Sequence, residues 1–519
     1  MDELRQGGTI GHIILRSMQR NMDSIAVVDE SERLTYAQLA ERTGRMISAL
    51  QEMGIRRGSS MAFLSRNRVD VMTAYCASYI TGVRLTPMSA LASEDDQAFI
   101  LEDAEIDGLL VDDVAFADRG RILKRRVKSL KHLLSLGKME GATDLVTLMQ
   151  QVKPAELHVG SRPDDISLVV YTGGTTGRPK GVVHNHTGLM AASLMMAGDW
   201  ELWTPLRMLA ASPVSHAAGG ISIPTWIRGG EFHLLPEFTP QKLLAYIMRE
   251  RITATFLVPT MIYRVLDEPT LRQYDVSSLQ TIIYGAAPMS PTRLAQALEV
   301  FGPVFLQIYG QSEIPNCISF LPRGAHDPKR PDRLASCGIP HANLGIALLD
   351  DQGREVADGE PGEICVRGPH VMQGYWKRPQ ETAEALAGGW LHTGDIGRFD
   401  KDGFLSIVDR KKDMIISGGF NVYPREVEDA ITTHPAVSAC AVVGAPDDKW
   451  GEAVTAAIVL RQGQSVDAEA IIRLVRDRKG PTHTPKHVLF FDQIPLTPIG
   501  KPDKKAVRAL VAQQLQQLK

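Results

Sequence analysis

Cysteine is scarce in this chain, and its five residues are scattered. They are Cys76, Cys317, Cys337, Cys365 and Cys440, with no Cys-x-x-Cys pair among them. An odd number without paired spacing argues against a disulfide framework and against a structural zinc site. We therefore expect free thiols in a reducing compartment, which points to the cytoplasm.

Long apolar runs and export signals are absent as well. The N-terminus begins Met1-Asp2-Glu3, without the basic-then-apolar order of a signal peptide. No apolar run approaches the roughly 20 residues that span a bilayer, so we expect no transmembrane segment. The 57 basic and 60 acidic residues leave a net charge of −3. That balance gives no electrostatic reason to expect a nucleic acid partner.

One glycine-rich loop carries most of the chemical information. It runs from Tyr171 to Lys180 as Tyr-Thr-Gly-Gly-Thr-Thr-Gly-Arg-Pro-Lys, after the apolar run 166–170. Glycine lets the backbone turn its N–H groups into one concavity, and the hydroxyls and the lysine charge suit a phosphate. The loop lacks the Gly-Lys-Ser/Thr end of a Walker loop, and Pro179 stands where a helix would begin. A structural turn would explain three glycines alone, but the threonines and the Pro-Lys pair favour nucleotide binding.

The hydrophobic pattern predicts an α/β protein with more than one domain. At 519 residues the chain exceeds a single hydrophobic core. Up to Leu321, short apolar strands alternate with helices, one of them capped by Thr35, which indicates βαβ units and a mostly parallel sheet. After Leu321 the strands are short and Gly, Pro and Asp are frequent, which predicts a small antiparallel β region. From Pro424 the order helix, strand, strand, helix, strand predicts an α+β unit of about 100 residues.

The predicted boundary gives an N-terminal domain of residues 1–410 and a small C-terminal domain of residues 411–519. It falls in the charged run 409–413 (Asp-Arg-Lys-Lys-Asp), which separates two apolar strands. A solvated turn would explain the same run.

Four further motifs place polar groups after predicted strands or in turns. Tyr309-Gly-Gln-Ser-Glu313 offers a hydroxyl and a carboxylate suited to magnesium at phosphate oxygens. The small residues of Gly285-Ala-Ala-Pro288 let a flat base approach the backbone. Asp395, in a Thr-Gly-Asp turn, can accept two ribose hydroxyls, and Arg410 adds a fork of donors. Lys501 lies on a Gly/Pro loop. Each motif alone would be read as an ordinary turn or surface residue.

In this order and spacing, the motifs resemble the adenylate-forming (AMP-binding) superfamily, in its branch of fatty- and aryl-acid CoA ligases. Luciferases and nonribosomal adenylation domains are relatives. The resemblance covers nearly the whole chain and adds Pro213-Val-Ser-His216, the run 409–413 and Ser417-Gly-Gly-Phe-Asn421. Two departures are mild: Gly173 stands where serine is frequent in the family, and Ser312 where threonine is.

The resemblance implies an AMP-forming acid–CoA ligase. In that family a carboxylic acid reacts with ATP to give an acyl-adenylate and pyrophosphate, and the acyl group then passes to a thiol. The implied cofactor and co-substrates are Mg²⁺, ATP and coenzyme A. The implied acid is hydrophobic, and medium- or long-chain fatty, aryl, arylalkanoic and steroid-derived acids stay open.

The resemblance also assigns residues to the site. Glu313 and Thr176 would hold Mg²⁺, and Lys501 would bridge the carboxylate and the α-phosphate, where charge builds in the transition state. His216 would act at the border of the acyl and thiol pockets, although a buried structural histidine is a competing interpretation. The acyl pocket would be lined by His216, Ala217, Gly219 and Gly220. ATP and AMP would contact Thr172, Gly173, Gly174, Thr175, Thr176, Gly177, Lys180, Gly285, Ala286, Ala287, Pro288, Gln307, Tyr309, Gly310, Ser312, Asp395 and Arg410.

The family resemblance further implies a mobile lid. The C-terminal domain would rotate between the two half-reactions about the position matched by Lys412. Rotation would withdraw Lys501 and bring a glycine-rich segment to the thiol path, where a pantetheine arm passes close to the backbone. That segment comprises Ser417, Gly418, Gly419 and Phe420.

Two other functions stay open at this stage. An adenylate-forming enzyme that loads a carrier protein is one, but no carrier segment follows the predicted helix 503–518, which favours free coenzyme A. A non-catalytic nucleotide-binding relative is the other, but Lys501, Glu313 and Asp395 are all retained. Ile416 stands at the second lysine of luciferases, which argues against oxidation. We expect a small-molecule acid, ATP and coenzyme A as partners, and the sequence is compatible with a homodimer.

Overall fold

The structure, a computed structural model, describes residues 7–172, 178–418, 420–447, 449–496 and 502–517. In the first part of the chain, short strands alternate with helices: α1 (Ile10–Arg20), β1 (Ile25–Val28), β2 (Arg33–Thr35), α2 (Tyr36–Glu52), β3 (Ser60–Leu64), α3 (Val69–Thr81), β4 (Arg84–Pro87), α4 (Glu94–Asp103), β5 (Gly108–Val111), α5 (Ala117–Arg126), β6 (His132–Ser135), β7 (Thr143–Asp144), α6 (Leu145–Gln151) and β8 (Ile166–Thr172).

The alternation continues to residue 340: β9 (Lys180–Asn185), α7 (His186–Asp199), β10 (Arg207–Ala210), α8 (Ala217–Ile227), β11 (Glu231–Leu234), α9 (Pro240–Glu250), β12 (Ala254–Leu257), α10 (Pro259–Leu266), β13 (Thr281–Gly285), α11 (Pro291–Phe301), β14 (Phe305–Gln311), β15 (Ile314–Leu321), α12 (Pro331–Leu334) and β16 (Ile339–Pro340).

The remaining elements are mostly short strands, followed by the C-terminal α+β unit: β17 (Gly345–Leu349), β18 (Gly362–Arg367), β19 (Gly374–Tyr375), α13 (Pro379–Ala385), β20 (Leu391–Phe399), β21 (Leu405–Arg410), β22 (Ile415–Ser417), β23 (Phe420–Val422), α14 (Pro424–Thr432), β24 (Val437–Asp447), β25 (Gly451–Leu460), α15 (Ala468–Lys479), β26 (His487–Phe490) and α16 (Lys504–Gln517).

Local sequence signals explain several of these boundaries. The Thr35 side chain accepts the N–H of Gln38, and the Gln38 side chain accepts the N–H of Thr35, so a capping box begins α2 as predicted. The helix α9 begins with the Thr239 cap and Pro240 at its first position. Both signals are local, so they could be read without knowledge of the tertiary structure.

Two large sheets organise the N-terminal region. One has the order β16-β15-β14-β13-β12-β10-β11-β1-β2, and the other has the order β19-β9-β8-β4-β3-β5-β6-β7. Most pairs are parallel, and the antiparallel pairs lie toward the ends, such as β14 with β15 and β8 with β9. The predicted α/β class, with a large βαβ-layered region and a smaller C-terminal unit, is confirmed.

The helices α1, α2, α3, α7 and α8 lie between the two large sheets. Buried Ile14, Met46 and Trp226 of these helices share one apolar cluster with Phe63 of one sheet and Phe232 of the other. The helices α9 to α11 cover the opposite face of the nine-stranded sheet, and α4 and α5 cover that of the eight-stranded sheet. The five layers bury most of the apolar surface, which is the main driving force for folding.

Two smaller sheets follow along the chain. The sheet β17-β18-β20-β21 is antiparallel, as predicted for this region. The C-terminal unit contains β23-β22-β25-β24, with β26 paired to β25. Its helices α14 and α15 cover one face through Val427 and Ile471, and α16 covers the other through Val507.

The structure can also be compared with the predictions about membrane-spanning segments and about cysteine pairing. Within the described ranges, no helix is long and apolar enough to cross a membrane. All five cysteines are free, and four of them are buried. Burial raises the pKa of the Cys76 thiol above its usual value, so that side chain stays an uncharged apolar group.

Candidate active site

The predicted phosphate loop joins two antiparallel strands. Thr172 at the end of β8 lies opposite Lys180 at the start of β9. Tyr171 donates its hydroxyl to the Asp103 carboxylate at 2.6 Å, which ties the end of β8 to α4. The predicted loop residues Gly173, Gly174, Thr175, Thr176 and Gly177 lie outside the described residues.

A tyrosine that sequence reasoning missed connects Lys180 with Glu313. The Tyr375 hydroxyl donates to Glu313 Oε1 at 2.8 Å, and Lys180 Nζ lies 5.1 Å from the centroid of the Tyr375 ring. Burial and the neighbouring Glu313 charge raise the pKa of Tyr375 above its usual value, so its hydroxyl remains a donor. The only sequence signal was an aromatic pair, Tyr375-Trp376, directly after a glycine.

Backbone pairing fixes Tyr375 in this position. Its strand β19 is antiparallel to β9, with Tyr375 opposite Val182. The N–H of Trp376 donates to the Gly181 carbonyl at 2.7 Å, and the N–H of Met372 donates to the Glu313 carbonyl at 2.8 Å. The segment 372–376 therefore ties the strand after the phosphate loop to the residue that follows β14.

Glu313 itself lies half-buried in the turn between β14 and β15. The preceding Ser312, predicted as a hydroxyl contact, has its carbonyl 2.7 Å from Nε2 of His184. Burial lowers the pKa of His184 to about 4, so the imidazole is neutral and donates to this carbonyl at neutral pH. The turn that carries Glu313 is thus held by His184 through the Ser312 carbonyl, and its carboxylate is held by Tyr375.

Asp395 and Arg410, the predicted ribose-binding residues, meet Tyr309, another predicted nucleotide contact, at the buried Asp395 carboxylate. Its Oδ2 accepts the Tyr309 hydroxyl at 2.7 Å and Gln311 Nε2 at 2.6 Å. Arg410 Nε lies 3.2 Å from Asp395 Oδ1, because the two residues are opposite each other in the β20–β21 ladder. Sequence reasoning identified Tyr309, Asp395 and Arg410 but missed Gln311, which lies between two predicted residues.

Two glycines among the predicted nucleotide contacts stand where a side chain would collide with the backbone. A Cβ on Gly285 would lie 2.4 Å from the Ile308 carbonyl oxygen, and one on Gly310 would lie 2.5 Å from the Asn316 nitrogen. Ala286 has φ +64° and is exposed with Pro288, and Ala287 is half-buried. Small side chains are therefore needed here for two reasons: neighbouring backbone atoms come close, and a base needs room.

Gln307, also predicted to contact the nucleotide, is buried in the strand beside this wall. Its carboxamide oxygen accepts the Tyr284 hydroxyl at 3.2 Å. The side chain is 9% exposed, so most of its surface faces neighbouring protein groups.

The predicted acyl-pocket residues differ in their surroundings. His216 precedes α8 and is exposed, with Nδ1 2.9 Å from Ser215 Oγ, and Ala217 is half-buried. Neighbouring protein groups nevertheless desolvate the His216 imidazole and lower its pKa. Gly219 is buried, and a Cβ there would lie 2.1 Å from the Val214 carbonyl. The absence of a side chain at Gly219 therefore permits a close backbone contact, whereas Gly220 is exposed, and the place of both in the acyl pocket stays a prediction.

The predicted hinge lies in a single turn of 3₁₀-helix, Lys411–Asp413. Lys411 Nζ lies 2.8 Å from Asp351 and 3.3 Å from Glu363. Burial, followed by the charge of Arg410, lowers the pKa of Lys412.

Just before the hinge, buried Asp409 binds the C-terminal unit. Its Oδ2 accepts the N–H of Arg425 in the first turn of α14 at 2.8 Å. Its Oδ1 lies 4.0 Å from Lys504 Nζ. One carboxylate therefore joins the end of β21 to two helices beyond the hinge.

Two of the predicted thiol-path residues lie in paired strands, Ser417 in β22 and Phe420 in β23. Ser417 is buried, Gly418 has φ +60° and donates its N–H to the Trp450 carbonyl at 2.8 Å, and Phe420 is exposed. Lys449 Nζ and Lys486 Nζ lie 5.0 and 4.7 Å from the Trp450 ring centroid. Gly419 and the predicted catalytic Lys501 lie outside the described residues.

Comparisons with known proteins identify the family to which this site belongs. The profile described as "AMP-binding enzyme" matches residues 14–376, and "AMP-binding enzyme C-terminal domain" matches residues 426–501. The chain belongs to the AMP-binding enzyme family. Its membership in the acyl-CoA synthetase branch, predicted from the motifs, is confirmed.

Several relatives resemble this AMP-binding enzyme along nearly its whole length. The medium/long-chain-fatty-acid–CoA ligase FadD8 of Mycobacterium tuberculosis is 44% identical over 96% of this chain and 89% of its own. The feruloyl-CoA synthase of an Amycolatopsis species is 35% identical over 96% and 98%. The structure of the amide bond synthetase McbA from Marinactinospora thermotolerans is 36% identical, has a TM-score of 0.89 and covers 96% and 99%.

Proposed function

We propose that this AMP-binding enzyme is an ATP-dependent acid–CoA ligase that acts on a hydrophobic carboxylic acid. The observation that carries the proposal is the convergence of Lys180 and Glu313 through Tyr375, beside the cluster of Asp395, Tyr309 and Arg410. A lysine and a carboxylate suit a triphosphate with its metal, and the second cluster suits a ribose. The curated relatives named above support coenzyme A as the acceptor.

The proposed reaction has two displacement steps. A carboxylate oxygen of the acid bonds to the α-phosphorus of ATP while the bond to the pyrophosphate oxygen breaks. The coenzyme A thiol then gives up its proton, its sulfur bonds to the acyl carbon, and AMP leaves. Activation is needed because a carboxylate oxygen is a poor leaving group, whereas AMP is a good one.

The residues divide between these steps. Thr172 and Lys180 would contact the β- and γ-phosphates, and Lys501 would neutralise charge at the α-phosphate. Glu313 fits Mg²⁺, because a half-buried carboxylate held in place by the Tyr375 hydroxyl offers the hard oxygen donor that this ion prefers. When bound, Mg²⁺ would neutralise phosphate charge, and Thr176 would be its second protein ligand. Asp395 and Arg410 would orient the ribose.

The proposal also includes the division into two domains and the position of the pivot between them. Residues 1–410 would bind the substrates, and residues 411–519 would form a lid that turns about Lys412. Ser417 and the glycines that follow it would then line the thiol path. A homodimer and a cytoplasmic location belong to the same proposal.

A second acceptor class deserves a direct test, because the McbA structure resembles this chain and is described as an amide bond synthetase. An amine would then attack the acyl-adenylate in place of the thiol. Carrier-protein loading is the third candidate.

The deciding experiment measures AMP and thioester release with a panel of carboxylic acids, ATP and Mg²⁺. Parallel reactions contain coenzyme A, a primary amine, a phosphopantetheinylated carrier protein or no acceptor. Coenzyme A-dependent AMP release with stoichiometric thioester supports the proposal. Turnover only with the amine or the carrier protein would assign the other acceptor, and no turnover with any acid would overturn the ligase.

Lys501→Ala tests the division of labour between the two steps. We expect adenylation to be nearly abolished while thioester formation from supplied acyl-adenylate is retained. Exposed Lys505→Ala is the matched control, because it removes the same charge from the neighbouring helix. Equal loss of both half-reactions in Lys501→Ala would contradict the assigned role.

A further inference from the structure

The side-chain amide of Asn316 lies opposite Gly220 of α8 and has only a weak hydrogen-bonding partner among the described residues. Its Nδ2 lies 3.9 Å from Met196 Sδ and would lie 3.6 Å from a Cβ on Gly220. A thioether sulfur is a weak acceptor. Among the described residues, no group donates to the Asn316 carboxamide oxygen. The amide therefore retains hydrogen-bonding capacity toward the space in front of Gly220.

Three elements bring this amide to the predicted acyl pocket. Asn316 lies on β15, three positions after Glu313, Met196 lies on α7, and Gly220 lies in the first turn of α8 after His216. The neighbouring groups are apolar: Met196 is 2% exposed, and Cys317 is buried against the Ala192 carbonyl. Asn316 itself is half-buried, and a thioether contact satisfies its amide only weakly, so a ligand acceptor in front of Gly220 would be a better partner.

Backbone conformation offers a competing explanation for the asparagine. Asn316 has φ +59°, in the left-handed region that asparagine adopts more readily than most residues. Its backbone nitrogen also packs against Gly310. Glycine would adopt this backbone conformation equally well. The conformation alone therefore does not explain an amide aimed at Gly220.

We infer that Asn316 donates a hydrogen bond to the bound acid, and that the preferred substrate is a hydrophobic acid bearing one acceptor, such as a hydroxyl, ether or keto oxygen. This inference rests on the proposed acid–CoA ligase. The rest of the pocket selects the apolar skeleton, and the amide selects the substituent. A site built to donate to a polar group discriminates against the analogue that lacks it, because the bound analogue covers the donor without giving it a partner.

The test compares matched acids that differ only in the acceptor. Cinnamate is paired with 4-hydroxy- and 4-methoxycinnamate, and dodecanoate with its hydroxy and keto derivatives. The measured quantity is the ratio of kcat/KM for the substituted and unsubstituted acid, with ATP and coenzyme A saturating. We expect a ratio of about 10 or more for the favoured pair, as one hydrogen bond implies.

Two variants separate the amide from the backbone. Asn316→Gly keeps the left-handed conformation and removes the amide, and Asn316→Asp keeps the shape and exchanges the donor for an acceptor. With the methoxy and keto acids, whose oxygens only accept hydrogen bonds, both variants should reduce the ratio to about 1 while turnover of the unsubstituted acid persists. A hydroxy acid can also donate to the carboxylate of Asn316→Asp, so for that acid only Asn316→Gly is informative. Asn316→Asp keeps the inference testable if Asn316→Gly fails to fold.

The outcomes are distinguishable from a failure of the proposed function. Turnover by the unaltered enzyme with every ratio near 1 overturns this inference alone. A ratio that survives in both variants also overturns it, because another group would then select the substituent. No turnover with any acid overturns the ligase proposal and this inference with it.

Discussion

The bond between Tyr375 and Glu313 provides the sharpest test of the site. Tyr375→Phe removes one hydroxyl and leaves the ring under Lys180, whose Nζ is 5.1 Å from its centroid. A hydrogen bond to a charged group contributes about 1.5–3 kcal/mol. If Glu313 must be held for ATP activation, adenylation should slow about 10- to 150-fold, since 1.36 kcal/mol corresponds to a tenfold change.

The assay is ATP–pyrophosphate exchange across a Mg²⁺ titration. Without its partner, the Glu313 carboxylate is less ordered, so we expect a higher Mg²⁺ concentration at half-maximal rate. Calorimetric titration with Mg²⁺–ATP should show weaker binding, whereas titration with ATP in EDTA should change little. This contrast separates loss of positioning from general damage.

Tyr246→Phe is the matched control. Its hydroxyl is also buried and lies 3.2 Å from one partner, His233 Nδ1, far along the chain from the site. A Tyr375→Phe enzyme with unchanged exchange rate and unchanged Mg²⁺ midpoint would refute the reasoning. An equal loss in Tyr246→Phe would attribute the effect to packing.

Three further predictions follow from the hinge, the glycines of α8 and the buried histidines. Lys412→Pro should stiffen the proposed pivot and slow one half-reaction more than the other in single-turnover assays; equal rates would remove Lys412 as the hinge. Gly219→Ala should lower the thermal midpoint, by a strain of about 1–3 kcal/mol, because its Cβ would lie 2.1 Å from the Val214 oxygen. Gly220→Ala is its control: the thermal midpoint should hold, because its Cβ meets a side chain only at 3.6 Å, and acid selectivity should change. His184 has a pKa of about 4 when folded and about 6.5 when unfolded, so acidification protonates the unfolded chain first and stability falls as the pH drops from 6.5 toward 4. His184→Gln should flatten that decline in denaturation midpoint, and an unchanged slope would contradict it.

Elements with strong local signals were predictable from the sequence. The cap at Thr35 was read correctly. The apolar runs 61–64, 109–111, 254–258 and 281–284 predict strands, and β3, β5, β12 and β13 agree with them within one residue at each end. The strands β20 and β23 were missed, although an apolar strand was predicted after residue 413, where β22 lies. Neither strand has a clear apolar pattern. The sequence Thr393-Gly394-Asp395 within β20 is typical of a turn, and two of the residues in β23 are exposed.

The site was predictable where motifs supplied the residues, but their partners were not. Asp395 was assigned from its turn, and yet its hydrogen-bond partner Tyr309 is 86 positions away. Tyr375 reaches Glu313 across 62 positions. Such contacts depend on β19 joining β9, which no local periodicity encodes.

Gly219 illustrates a different limit. Small residues after His216 were read as room for a substrate, because a missing side chain leaves space. The same absence also permits close backbone approach, and only the path of the chain before α8 distinguishes the two. Of the pair, Gly220 is exposed and Gly219 is closed by Val214.

The Asp409 carboxylate offers a way to observe whether residues 411–519 turn as the proposed lid. While it accepts the Arg425 N–H, that amide is shielded from solvent. Any large turn at Lys411–Asp413 would have to break this bond and release the amide to water. The exchange rate of a single backbone proton at Arg425 would therefore record how often the lid leaves this orientation, and how each substrate alters that frequency.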